Sequence, residues 1–291
     1  MTKAKRDVQQ EITDLVIKAI ENGVQPWSRP WSATNMGYLA RRHCGTPYKG
    51  INQFLLGMYQ ATGGFSSCYW MTYRQAQKLG GQVRKGEKSN LSVFFKVIEK
   101  TDKAGEITDR FGFYKANNVF NAAQIDGLPE RFYPKPVEAK NPDIRDATTD
   151  AWFAALPTTV NHGGGSAHLS LRTGQIQMPD FAAFHSALDY YSTLAHETVH
   201  WSGMKRNEIE PSQFGSLNYA KEELVAEMGA AFTLAHLGLA SKPREDHASY
   251  IKAWLDKLKG DKKFIFSAAS QAQARVDHLT ELAERKEAIA A

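Results

Sequence analysis

Residues 188–201 read LDYYSTLAHETVHW, and this stretch decides how the rest of the chain is read. Its apolar residues recur three and four apart, the period of a helix, so His196 and His200 fall one turn apart on the same face. Two imidazoles in that relation can share one tetrahedral ion. Glu197 lies between them in sequence, where its carboxylate serves as a general base for an attacking water and not as a ligand.

A third protein ligand is needed. The metzincin pattern would put a His six residues after the second one; Gly203 keeps that pattern's glycine, but the ligand position is Arg206, a permanent cation that cannot coordinate zinc. Further on, residues 219–227 read YAKEELVAE and place Glu223 and Glu227 one turn apart on a second helix. Glu223 is favoured as the ligand, which makes the set gluzincin-like, and Glu227 as the outer acceptor for an imidazole N–H. The reverse order stays open, because spacing alone cannot rank them. Leu224, Val225, Ala226 and Met228 surround the pair with apolar residues, and buried carboxylates need a partner. Two His and one carboxylate suit a single Zn2+, with another divalent transition metal as the alternative, and leave a fourth position free. The chemistry that follows is peptide-bond hydrolysis.

Around this centre the chain divides. At 291 residues, 42% hydrophobic and 23% charged, it can bury a sizeable core, and its length suggests two domains. Residues 1–135 hold 20 Lys+Arg against 11 Asp+Glu, a net of +9, while residues 136–291 hold 16 against 20, a net of −4. Pro134, Pro136, Asn141 and Pro142 mark a linker between them. The expected fold class is therefore α+β in two domains: a basic N-terminal α+β domain over 1–135 and a mainly helical C-terminal domain over 143–291, joined by 136–142. Upstream, Val8 to Ile20 predict an amphipathic helix ending at Gly23. Thr72 and Gln75 predict a capping box before a helix at 73–79, and 91–98 with 111–115 predict a hairpin. Downstream, helices are expected at 188–201, 219–237, 250–258 and from Ala268 onward, with short strands in 159–179.

Other classes are excluded by what is missing. No apolar run approaches the ~20 residues of a spanning helix, and the start MTKAKRDVQQ lacks a signal-peptide core, so a soluble, cytoplasmic protein with no membrane partner is expected. Cys44 and Cys68 fall short of a disulfide framework or a thiolate zinc site and read as free thiols. An oxygen-rich nuclease site would lean on Asp and not on paired imidazoles.

The basic half reads as a surface for single-stranded nucleic acid. Trp27, Arg29 and Trp31 sit on a proline-stiffened segment; Tyr48, Lys49 and Asn52, then Trp70, Tyr73 and Arg74, then Arg84, Lys85 and Lys88 continue the alternation of rings, polar groups and cations. Rings stack on bases and cations meet phosphates, whereas no recognition helix or zinc finger for duplex readout is apparent. The partners expected from these residues are a single-stranded nucleic acid and a protein substrate. The rival reading is a non-catalytic protein that coats single-stranded DNA and uses the ion to brace its fold.

These residues together resemble a known family, the ArdC-type antirestriction proteins of conjugative plasmids. The resemblance rests on Pro26-Trp27 with Pro30-Trp31, residues 48–52 (YKGIN), 70–76 (WMTYRQA) and 118–121 (NVFN) with Gln124. In the C-terminal half it rests on Met178-Pro179, residues 196–201 (HETVHW), 222–227 (EELVAE), and Tyr250-Ile251 with Trp254. It implies an N-terminal single-stranded DNA-binding domain and a C-terminal zincin-like metallopeptidase domain. It further implies protection of incoming plasmid DNA against host restriction during conjugation, with single-stranded DNA and a component of the restriction system as the partners. The chain departs from the family pattern around Arg172 to Gln175, where an acidic residue tends to precede the Ile-x-Met-Pro stretch.

Overall fold

The computed structural model describes residues 6–23, 39–101, 106–133, 144–209, 212–213, 216–239 and 248–290. Helix α1 (Val8–Glu21) starts at Asp7, whose carboxylate accepts from Gln10 N, and buries Val8, Ile12, Val16 and Ile20 along one face. Strand β1 (Arg41–Arg42), helix α2 (Ile51–Gly63) and strand β2 (Tyr69–Met71) follow. Helix α3 (Tyr73–Lys78) opens on the expected capping box: Thr72 Oγ1 accepts from Gln75 N while Thr72 N donates to the Gln75 side chain. After β3 (Gln82–Val83), strands β4 (Asn90–Thr101) and β5 (Ile107–Asn121) form the expected hairpin, paired from Asn90↔Val119 outward, and β6 (Ile125–Asp126) returns to pair with β3.

The larger sheet has the order β1-β2-β5-β4, so β4 is one of its two edges. At that edge Val93 N donates to Asn52 Oδ1 at 2.6 Å, and Asn52 Nδ2 donates to Val93 O at 2.7 Å. A side chain of α2 thus occupies backbone groups that a further strand would otherwise pair with.

Downstream come α4 (Ala147–Ala155) and a small sheet of β7 (Val160–His162), β8 (His168–Leu169) and β9 (Ile176–Met178), in the order β7-β9-β8. Four long helices follow: α5 (Ala187–Lys205), α6 (Leu217–His236), α7 (Ala248–Gly260) and α8 (Phe264–Ala290). The alternation of Ile176 and Met178 has its physical cause in burial, since both side chains of β9 are fully enclosed.

Two large cores share α6 and α8. One joins α1, α2 and the hairpin to α6, α7 and α8 through Ile12, Phe54, Val93, Leu224, Trp254 and Ile265. The other packs α4, β9 and α5 on different faces of α6 and α8 through Trp152, Ile176, Tyr190, Val199, Ala226 and Leu279. The expected linker at 136–142 lies outside the described residues, and the first core draws side chains from both sides of it. Cys44 is exposed and Cys68 buried, both as free thiols. Among the described residues no helix is long and apolar enough to cross a membrane.

Replacing Asn52 with Ala removes both bonds at the β4 edge. The expected loss is about 1–3 kcal/mol of unfolding free energy, read as a lower urea midpoint at unchanged slope.

Candidate metal centre

Helix α5 is capped by Ser186, whose Oγ accepts from Asp189 N, and α6 by Ser216, whose Oγ accepts from Tyr219 N. The two helices come close because Gly229 of α6 has no side chain: a Cβ there would stand 2.6 Å from Val199 Cγ1. That approach carries His196 and His200 of α5 against Glu223 of α6. The two Nε2 atoms are 3.0 Å apart; Glu223 Oε2 is 3.4 Å from His196 Nε2, and Oε1 is 3.6 Å from His200 Nε2. Two nitrogens on one zinc at ~2.0–2.1 Å would stand about 3.3 Å apart at a tetrahedral angle, close to this spacing. One ligand atom from each of the three residues falls within 4.8 Å of the others, and no fourth His, Cys, Asp or Glu joins them among the described residues.

The outer nitrogen of each ring faces a different carboxylate. His196 Nδ1 lies 2.7 Å from Glu227 Oε1, and His200 Nδ1 lies 2.8 Å from Glu222 Oε1. A proton held on Nδ1 by a carboxylate in such a position frees the Nε2 of the same ring to act as a ligand atom. Glu223 therefore meets the inner nitrogens and Glu227 an outer one. Glu197 is only 4% exposed on the same turn of α5.

Glu222 is itself held by Arg275 of α8, which donates from Nη1 to Oε1 at 2.5 Å and from Nη2 to Oε2 at 2.8 Å; its Nε reaches Glu208 Oε2 at 3.2 Å. The guanidinium is completely buried. Room for it comes from Gly203, where a Cβ would stand 2.3 Å from Arg275 Cζ. Burial pushes the Glu222 carboxyl up, but hydrogen bonds from His200 and Arg275 outweigh it and bring the pKa from its ordinary 4.5 to about 2. Burial likewise pushes Glu223 up, and contacts with His196 and His200 and a hydrogen bond from Tyr219 pull it below the usual carboxylate range.

Glu222 and Arg275 are not singled out by the sequence as members of the site. Glu222 stood in the quoted motif beside two stronger candidates. Arg275 carried one signal: it interrupts the apolar face of α8 between Ala272 and Leu279, and a cation at such a position requires a buried partner.

The nucleic-acid candidates are scattered in their surroundings. Trp27, Arg29 and Trp31 lie outside the described residues. Trp70 is fully buried, edge-on to Phe65 with ring centroids 5.6 Å apart, and presents no face to solvent; its place is in the core. Asn52 is engaged by Val93 as described. Tyr48 is half-buried beneath the Arg42 guanidinium at 5.2 Å, and Lys49 pairs with Asp277 at 2.8 Å. Arg84 is exposed but contacts Glu87 at 2.8 Å and Asp126 at 3.3 Å. Tyr73, Arg74, Lys85 and Lys88 are exposed.

Paired imidazoles on one helix, met by a carboxylate from the next, define a zincin-like arrangement. Comparison with known proteins agrees. Residues 147–271 match the family described as a zincin-like metallopeptidase, and residues 6–120 match the N-terminal domain of anti-restriction factor ArdC. The metal-free crystal structure of antirestriction ArdC protein from the R388 plasmid aligns with a TM-score of 0.83 at 41% identity, covering 96% of this chain and 99% of that one. Its Mn(II)-bound structure aligns with a TM-score of 0.79 at 40% identity, covering 96% and 98%. The protein y4eC of Sinorhizobium fredii (strain NBRC 101917 / NGR234) is 35% identical over 282 residues, 93% of this chain and 91% of y4eC. DNA primase TraC of Escherichia coli is 33% identical over 299 residues; these cover 94% of this chain but only 27% of that primase. The chain belongs to the ArdC antirestriction family, with an ArdC N-terminal domain followed by a zincin-like domain.

Arg275→Met should cost about 3–5 kcal/mol by leaving the Glu222 carboxylate buried without its cation. Adding Glu222→Gln should recover part of the loss, and a double-mutant cycle in urea measures the coupling. A carboxyl depressed in the folded state contributes stability that is complete above its unfolded pKa and lost as pH falls through the folded one. Metal-free protein should therefore lose the Glu222 contribution between pH 4.5 and about 2. In the Glu222→Gln variant that part of the stability profile should flatten.

Proposed function

We propose that this protein is a single-stranded-DNA-binding antirestriction protein with a zinc-dependent metallopeptidase centre, acting in the cytoplasm to protect incoming plasmid DNA during conjugation. The observation that carries the enzymatic reading is the convergence of His196 Nε2, His200 Nε2 and a Glu223 oxygen within 4.8 Å. It occurs inside the segment that matches a zincin-like metallopeptidase. The donor set fits a divalent ion: two neutral nitrogens and one carboxylate suit zinc, and three protein ligands leave a position for a reactant. The Mn(II)-bound form of the R388 ArdC protein supports a divalent ion in this family.

When bound, the ion supplies Lewis acidity, polarising a peptide carbonyl and making water more acidic. Glu197 takes the proton from the attacking water and passes it to the leaving amine nitrogen, so that the C–N bond breaks as the new C–O bond is kept. Glu222 and Glu227 hold the two rings in orientation, and Tyr219 steadies Glu223 by a hydrogen bond. The substrate is a polypeptide, a component of the restriction system being the candidate that fits the family. The DNA-binding reading is supported by the net charge of +9 in residues 1–135, from 20 Lys+Arg against 11 Asp+Glu, and by the ArdC N-terminal match.

Glu197→Gln should retain stoichiometric metal by elemental analysis while losing about 10²–10⁴-fold in cleavage of a denatured protein substrate. His196→Ala should lose metal and cleavage together. Cleavage by Glu197→Gln at the wild-type rate would overturn the assignment of Glu197 as the base, and no cleavage by the metal-loaded wild-type chain would overturn the enzymatic reading and leave a DNA-coating protein. Glu227→Gln should weaken metal binding by about 10–100-fold without abolishing it.

A further inference from the structure

We propose that single-stranded DNA lies across one face of the β4–β5 hairpin, stacking on Phe94 and Phe113 with Lys96 and Lys115 at its phosphates. This rests on the reading that the chain binds single-stranded DNA, and it names the surface. Side chains alternate across a strand, so the pairings Phe95↔Tyr114 and Val93↔Ala116 share one face, and Phe94↔Lys115 and Lys96↔Phe113 share the other. The first face is anchored. Val93 is buried, the rings of Phe95 and Tyr114 are 4.7 Å apart, and Tyr114 meets Phe266 of α8 edge-on at 5.3 Å. Phe95 is itself half-exposed, but its ring is taken by Tyr114 and lies over Gly112, where a Cβ would stand 2.7 Å from it. The second face points to water with Phe94 50% exposed and Phe113 37% exposed.

These two phenylalanines have no role in the core behind them, and neither ring contacts another aromatic ring among the described residues. Each stands directly opposite a lysine, which makes a checkerboard of ring and cation. Along one strand the step from Phe94 to Lys96 is about 6.6 Å, so a base on the ring and a phosphate at the ammonium are within one nucleotide's reach. Around these two pairs the charge is of a single sign: residues 90–98 (NLSVFFKVI) and 111–121 (FGFYKANNVFN) contain no acidic residue, and Glu99 and Asp109 stand further out along the hairpin, opposite Arg110 and Lys100. Among the described residues neither Lys96 nor Lys115 forms an ion pair, unlike Lys49 with Asp277 or Arg84 with Glu87. An apolar protein partner would ask for contiguous rings. Alternation with cations instead matches a polyanion that carries flat bases.

The test is a fluorescence-anisotropy titration of a labelled oligothymidylate with the full chain over a range of salt concentrations. Phe94→Ala/Phe113→Ala should weaken binding by about tenfold or more with little change in salt slope. Lys96→Gln/Lys115→Gln should lower that slope by about 1.4, ~0.7 for each phosphate no longer neutralised. Phe94→Leu/Phe113→Leu keeps apolar bulk on the strands but removes the ring faces, and should also weaken binding. Circular dichroism and thermal melting establish that each variant is folded. Wild-type-like binding by the folded Leu pair or the Lys pair would overturn the proposal while the DNA-binding reading stands. Failure of the wild-type chain to bind the oligonucleotide would remove both.

Discussion

A guanidinium with no exposure to water holds the centre of this molecule together. Arg275 reaches from α8 across the missing side chain of Gly203, grips both oxygens of Glu222, and through that carboxylate fixes the ring of His200. A buried charge of either sign is costly alone; paired with correct geometry, it becomes a rigid strut. The same logic repeats on the neighbouring ring, where Glu227 faces His196. Glu222 and Glu227 thus each face the outer nitrogen of one ring while Glu223 meets the inner nitrogens of both, three chemically alike residues of one helix in two kinds of position.

This arrangement explains why α6 and α8 belong to both large cores. A helix that must aim three carboxylates into an interior cannot be left to drift, and α6 is packed by α5 on the side of the centre and by α7 and α8 elsewhere. Trp254 of α7 adds a buried hydrogen bond from Nε1 to Ala220 O at 2.6 Å, about one helical turn ahead of Glu223. The basic N-terminal half is tied into the same frame, because α1, α2 and the hairpin pack on α6, α7 and α8. Charge separates the two halves along the sequence, whereas apolar packing joins them in space.

Much of the site was legible because its signals are local. The four-residue spacing of His196 and His200, and of Glu223 and Glu227, follows from the helical period alone, as does the capping box at Thr72. What escaped depends on contacts between distant segments. Nothing near residue 275 says that its guanidinium will meet Glu222, and nothing near Asn52 says that its amide will be taken by Val93. Trp70 illustrates the same limit from the other side: an aromatic beside Tyr73 and Arg74 reads as a stacking surface, yet tertiary packing encloses it. The exposed rings of Phe94 and Phe113 were hidden in an apolar run, since only the register of the hairpin tells which of two adjacent phenylalanines faces away from the core.

The placement of Arg275 also sets an order of assembly. A chain made from its N-terminus presents both imidazoles and all three glutamates some fifty residues before the arginine that neutralises Glu222 (positions 222 and 275). Until α8 has emerged and docked, that cluster carries excess negative charge, and the ring of His200 lacks its fixed orientation. The centre therefore gains the contact that fixes His200 only when α8 docks, well after the helices that carry the imidazoles and glutamates have been made.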